Sequence, residues 1–285
     1  MIPIIIDGVV QGLQFSLLAV GITLIYGLGG VLNLAHGQFA VIGGVTAALL
    51  IGGGMNVILA CVLGVLASGL FGLIVDRSLL LPAYRYKGEE RLLLGLILTL
   101  GLSFVVDGYL NYRVPDAALT VQLPYPSVTV AGITIRTASV ATSVLAILAF
   151  LMLGAFLKGT LLGKAVRSII QNEVGAELCG ISATRTRTLI VCLSAILAGV
   201  GGVAQGVFSS LGSELGVELT IFALIVAVVG GVRSISGTLV AGILLGIVNA
   251  VASFYIGTYL TLIILLAAAM LTILVRPSGM LAYWT

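Results

Sequence analysis

The sequence predicts an all-α polytopic transmembrane helix bundle of about eight to nine spanning or re-entrant helices, with a small extracytoplasmic hairpin. Three observations predict it. The 285 residues are 60% hydrophobic and only 8% charged, against about 25% charged in a soluble domain. The mean hydropathy is +1.27. Apolar runs close to the roughly 20 residues that span a hydrocarbon core recur along the whole chain. In lipid every backbone polar group needs a partner within the protein, and helices supply it locally. The 38 glycines suit closely packed membrane helices.

Taken in order, the apolar runs fall at about nine places: 8–28, 35–54, 57–80, 92–112, 138–157, 188–211, 219–232, 238–255 and 259–275. No basic start or small-residue cleavage site marks the first as a signal peptide, so it is expected to be retained. The 219–232 run is short and fits a tilted or re-entrant helix, which would leave eight full spans. Between the first two runs lies Tyr26–Gln38, with Gly27, Gly29 and Gly30 weakening the helix. Asn33 is a good N-cap for the second helix. A helix broken at membrane depth is tolerated only inside protein or beside a wet cavity. The 113–137 stretch carries Pro115, Pro124 and Pro126, which stop helices. Ser127–Val130 and Ile133–Arg136 then alternate around Ala131–Gly132, as a hairpin capping the helix ends or meeting an external partner. Small residues recur every fourth position at Gly8, Gly12 and Ser16, at Ala198, Gly202 and Gly206, at Ala223 and Ala227, and at Gly242 and Gly246. Such stripes let backbones touch, either within a bundle or at a subunit interface.

One long stretch is not apolar. Residues 158–187 hold Lys158, Lys164, Arg167, Arg185 and Arg187 with the acids Glu173 and Glu177. Placing this loop, loop 76–91, Arg233 and Arg276 on the cytoplasmic side puts eleven of the thirteen basic residues inside, leaving Arg113 and Arg136 outside. The N-terminus is then outside and the C-terminus cytoplasmic, and Asp7, Asp116, Glu214 and Glu218 fall on the outer side.

Polar residues within the apolar runs are the candidates for a solute path: Asn33, His36 and Gln38 at the break, then Asp107, Gln205 and Asn249. A carboxylate at membrane depth is costly and often functional. His36, the one histidine, reads more simply as a satisfied core residue than as a ligand. No nucleophile–base pair or metal cluster is apparent, so no catalytic residue and no metal site is assigned. Cys61, Cys179 and Cys192 are odd in number and far apart, which indicates neither a disulfide framework nor zinc. Gly159–Ala165 approaches a phosphate loop but has three residues between glycines and Ala165 after the lysine, so it fails the motif. No basic face remains for nucleic acid.

Three places carry a family resemblance: Leu24–Gly27 through Asn33–Gly37; Gly163–Arg167 through Glu173–Ile181; and Val229–Gly237, closed by Arg276–Gly279. In this order, over essentially the whole chain, they resemble a permease subunit of the branched-chain amino acid class of ABC importers. The resemblance implies a hetero-dimer with a second, homologous permease, two ATP-binding cassette subunits on the cytoplasmic face, and a periplasmic or lipid-anchored substrate-binding protein. ATP and Mg would be bound by the partner ATPases, with no cofactor in this chain, and the location would be a bacterial inner membrane. The importer coupling loop, E-A-A followed by a glycine, maps onto Glu173, Ala176 and Gly180, with Glu177 and Arg167 beside them. Val174 and Gly175 depart from the E-A-A form. The function implied is alternating access driven by ATP in the partner subunits, for branched-chain or related amino acids. The alternatives are a self-contained channel for a small neutral solute such as urea, or a permease for an amide or sugar. A channel would need its own selective ring, and no ring of inward charges is apparent.

Overall fold

The computed structural model describes residues 1–114, 119–121, 128–130, 133–135, 137–212, 214–232, 234–276 and 279. Helix α1 (Ile2–Gly29) opens with a proline in its first turn, where no N–H is needed, and closes at Gly30. Gly30 has φ 59° and donates its N–H to the Tyr26 carbonyl, a left-handed stop that glycine adopts without strain. The chain then turns back into the bundle. Helix α2 (His36–Gly52) starts with the His36 ring against Gly21 of α1, so close that a Cβ on Gly21 would lie 2.6 Å from it. Gly21 is eight residues short of the end of α1, about 12 Å along a helix. The expected break between the first two helices is therefore present, and α2 begins inside the protein.

Helix α3 (Val57–Val75) is capped by Asn56, whose side chain accepts from the Ile58 and Leu59 N–H groups. It runs through a π-helical turn (Asp76–Leu80) into α4 (Leu81–Ala83), making one rod from Val57 to Ala83. Arg77, expected in a loop, thus stands on helix. Helix α5 (Gly88–Arg113) starts before the expected run because Glu89 and Glu90 favour its first turn. Strands β1 (Val128–Val130) and β2 (Ile133–Ile135) pair antiparallel, Val128 with Ile135 and Val130 with Ile133, which is the expected hairpin. Pro115, Asp116, Pro124, Pro126, Ser127, Ala131, Gly132 and Arg136 lie outside the described residues, as do Arg233, Pro277 and Ser278. Leu119 and Val121 of the same loop bond to Leu211 and Gly206, which ties it over the end of a later helix.

Helices α6 (Thr137–Gly159), α9 (Ala183–Phe208), α10 (Leu215–Gly230), α11 (Ile235–Tyr255) and α12 (Thr258–Val275) complete the bundle. The expected polar loop 158–187 is largely helical: α7 (Leu161–Gln171), α8 (Glu173–Leu178) and the first turn of α9. The reason is capping. Thr160, Asn172 and Ser182 each accept a backbone N–H three residues on, restarting the helix each time. Among the described residues, six helices are long and apolar enough to cross a membrane, with three shorter apolar ones at His36–Gly52, Leu215–Gly230 and Leu260–Val275.

Helices α1 and α9 form the centre. Leu17, Ala19 and Val20 of α1 and Ala195 and Ala198 of α9 have no exposure or almost none. Helices α3, α5 and α6 turn Leu66, Leu70, Phe104, Leu151 and Met152 outward as a lipid face. The small-residue stripes meet within the chain. Gly8 and Gly12 of α1 pack against Gly242 and Gly246 of α11, where a Cβ on Gly12 would sit 2.6 Å from the Gly242 carbonyl. Gly202 meets Ala40 of α2, and Gly206 lies under Leu211.

Candidate functional site

The break between α1 and α2 is braced by side chains from distant helices. The Asn33 Oδ1 accepts from the Ala35 N–H at 2.9 Å, so Asn33 shapes the turn while Ala35 occupies the cap position itself. The Leu34 N–H donates to Thr99 Oγ1 of α5 at 3.0 Å, and the Gly37 N–H to Thr220 Oγ1 of α10 at 2.8 Å. Gln38 Nε2 donates to Ser103 Oγ at 3.0 Å and to Asp107 Oδ1 at 2.7 Å. Donors left free at a helix start thus find partners inside the protein. His36 is fully buried and meets the Phe39 ring edge-on at 5.7 Å. Gly37 is required by contact, because a Cβ there would occupy the Gly216 carbonyl.

The six candidate path residues separate into two groups. Asn33, Gln38 and Asp107 take part in the brace, and His36 packs beside it against Phe39 without making any of its hydrogen bonds. Gln205 and Asn249 line a cavity of about 730 Å³ between α1, α9, α10 and α11. There Asn249 Nδ2 donates to Gln11 Oε1 at 2.9 Å and Gln205 Nε2 to Ser209 Oγ at 2.9 Å. Phe15 and Phe222 stack as its apolar wall, centroids 4.9 Å apart and planes 7° from parallel. Asp7, Glu218 and the buried Gln14 also line it. Sequence reasoning missed Gln11 and Gln14. Their spacing of three on an apolar helix, which puts both on one face, was the available signal.

At the other end of the bundle the polar stretch forms a platform. Helix α7 buries Gly163, Val166 and Ile169 and leaves Arg167 exposed. Helix α8 is pinned from below. Glu173 pairs with Arg187 of α9 at 2.5 Å, and Ala176 is buried. The Arg187 guanidinium lies 4.8 Å from the centroid of the Tyr84 ring. Burial pushes the Tyr84 phenol above its ordinary pKa, with the Asp76 charge adding to the effect. Next to Arg187, Thr188 donates to the buried Asp76 at 2.6 Å, reaching the π-turn of the α3 rod. Gly180, with φ 83°, turns the chain from α8 toward α9. Glu177 faces outward, and so do two apolar side chains, Val174 and Leu178, at 68% and 84% exposure. Glu173 and Ala176 therefore hold the platform, while Val174, Glu177 and Leu178 present a surface. Nothing in the local pattern singles out Val174 and Leu178, because their exposure depends on α7 and α8 being separate helices.

Residues 4–275 match the model of the family described as "Branched-chain amino acid transport system / permease component". The high-affinity branched-chain amino acid transport system permease protein LivH of Escherichia coli is 29% identical, over 96% of this chain and 93% of that protein. BraD of Pseudomonas aeruginosa, of the same description, is 27% identical over 97% and 94%. A probable LivH from Methanocaldococcus jannaschii is 26% identical over 92% and 87%. Among solved structures, PsaBC from Streptococcus pneumoniae in complex with Fab shares the fold at TM-score 0.50 and 12% identity, over 95% of this chain and 91% of that one. With the family match running from the first turn of α1 to the end of α12, this multi-pass membrane protein belongs to the permease component family of branched-chain amino acid transport systems.

Proposed function

We propose that this chain is one permease half of an ATP-driven importer for branched-chain or related amino acids. It pairs with a homologous permease, receives substrate from a binding protein outside, and docks ATPase subunits on α7 and α8. The ATPases bind ATP and Mg and do the hydrolysis. The N-terminus is outside and the C-terminus in the cytoplasm, with the platform on the cytoplasmic face.

The observation that carries this reading is the platform. A charged, non-membrane segment leaves Val174 and Leu178 bare on a short helix anchored by Glu173 and Ala176. Four residues apart, these two lie on one face. Exposed apolar side chains on an otherwise polar surface mark a contact with another protein. The anchoring gives that contact leverage, because α8 reaches α9 through Arg187, and α9 reaches the α3 rod through Thr188 and Asp76. The driving force comes from the ATPases, which bind their nucleotides differently in the two states of the transporter.

The test is co-purification with the genomic neighbours. An ATPase should come down with the tagged chain and be lost from Leu178→Asp and Val174→Asp. Glu173→Ala and Gly180→Val should weaken the association by loosening α8. Retention of the ATPase by the double aspartate variant would contradict docking on α8.

A further inference from the structure

A second cavity opens on the lipid-facing side of the bundle. Helices α3 and α6 are its banks and α9 is its floor. Leu66 of α3 and Met152 of α6 stand on the rim, 56% and 72% exposed, while Leu197 and Val203 of α9 lie buried beneath. Apart from the half-buried Cys61 thiol, every lining side chain is apolar. A molecule with charge or hydrogen bonds to place there would lose its hydration and gain no partner. Shape narrows the choice. The groove follows α6 from Leu145 to Phe156, about 16 Å along a helix. Its volume is about 560 Å³, which over that length makes it about 6 Å wide. A helix with its side chains is about 10–12 Å across and cannot enter. One extended hydrocarbon chain can.

The end of the groove nearest the platform is charged. Along α9, Arg185, Leu189, Leu193, Ile196 and Val200 follow at spacings of four and three, which puts them on one face. The last three are groove floor, so Arg185 stands in line with it on the platform side. Arg77, on the α3 rod, is near enough for its charge to act on Cys192, the neighbour of Leu193. Both arginines are exposed, and neither side chain makes a hydrogen bond or ion pair among the described residues. The carboxylate beside Arg77, that of Asp76, is buried and held by Thr188.

We propose that this groove binds a phospholipid with an anionic headgroup, drawn from the leaflet on the platform side. One acyl chain lies in the groove, and the phosphate pairs with Arg77 and Arg185. Arginine suits this role, because its planar donors meet phosphate oxygens two at a time. A zwitterionic lipid brings the same chain, but its own ammonium offsets the phosphate charge. Bound there, the lipid bridges the α3 rod and α6. The site needs only that the chain crosses a membrane, so it stands or falls apart from the importer reading.

The test is native mass spectrometry of the purified full chain, titrated in detergent with phosphatidylglycerol and with phosphatidylethanolamine of the same acyl chains. Phosphatidylglycerol should bind more tightly. Arg77→Gln and Arg185→Gln should each weaken it about fivefold, bringing it toward phosphatidylethanolamine. Lys158→Gln should change neither lipid. Lys158 is exposed at the same end, but two residues past Phe156 it points to the other side of α6. Ala149→Phe, which fills the groove, should weaken both lipids at least fivefold. Thermal unfolding checks each variant's fold. Should Ala149→Phe be unstable, the contrast between the exposed Arg185→Gln and Lys158→Gln variants decides by itself. Phosphatidylglycerol with a photoreactive diazirine on its acyl chain then locates the site in nanodiscs, with crosslinks expected within 145–156 and 193–203. Equal binding of the two lipids overturns the proposal, as does equal weakening by Lys158→Gln and Arg185→Gln, or crosslinking spread evenly over α5 and α12. Loss of the crosslink when a homologous permease co-purifies would overturn it too, by making the groove a protein interface.

Discussion

Arg187 joins three parts of the molecule through one side chain: Glu173 of α8, the Tyr84 ring after α4, and its own helix α9. The pair is partly shielded, with Arg187 6% and Glu173 36% exposed. A hydrogen bond between charged groups contributes about 1.5–3 kcal/mol, less where water reaches it. Arg187→Met keeps the apolar stem and removes the charge. It should loosen α8 by about 1–2 kcal/mol, seen as faster amide exchange across Glu173–Leu178 with the centre of α1 unchanged. Equal protection of α8 in the variant would mean that the ion pair does not hold the platform. The sequence makes Arg187 visible as a basic residue in a polar stretch, and no more. Its inward role depends on α9 starting at Ala183 and on residues far away in the chain. The neighbouring Thr188–Asp76 bond spans 112 residues, and no local pattern encodes such a contact. Gln38 differs: as a polar residue just inside a predicted helix break, it is legible as important. Its partners Ser103 and Asp107 are not legible as such.

At the scale of elements, hydropathy locates every apolar helix because spanning length and composition are local properties. Where boundaries moved, short polar residues moved them: Thr160, Asn172 and Ser182 turn a predicted loop into three helix starts. The small-residue stripes are also legible, since spacing of four puts residues on one face. Which helix each stripe meets is not, because that depends on the bundle's closure. The α1–α11 seam gives a sharp expectation. A Cβ on Gly12 would lie 2.6 Å from the Gly242 carbonyl and 2.7 Å from the Ile243 Cα, so neither backbone can yield cheaply. Gly12→Val should destabilise the fold by about 1–3 kcal/mol through overpacking, read as a lowered unfolding temperature in detergent. Gly108→Ala, at a position on α5 with open space around it, should leave that temperature unchanged. If both variants unfold alike, α1 and α11 do not meet at Gly12.

At the scale of the whole molecule, the polar side chains fall into three zones: a brace at the broken helix, a cavity near the hairpin end, and a platform at the opposite end. The proposed orientation puts the platform in the cytoplasm. Cys179 tests it without mutation, being exposed just after α8 while Cys61 and Cys192 are half-buried. A membrane-impermeant maleimide should label Cys179 in inverted vesicles and spare it in intact spheroplasts; the reverse pattern would invert the topology. The family is legible in three motifs spread along the chain, whereas the cavity is not, since its lining comes from side chains on separate helices that only folding brings together. The most direct measurement is leucine uptake into proteoliposomes carrying this chain with its co-purified partners. Concentrative uptake should require ATP inside the liposomes, together with the binding protein and leucine outside, and should be lost with Leu178→Asp. Downhill flux of leucine or urea through this chain alone, independent of ATP and unchanged by Leu178→Asp, would contradict the importer and identify a channel.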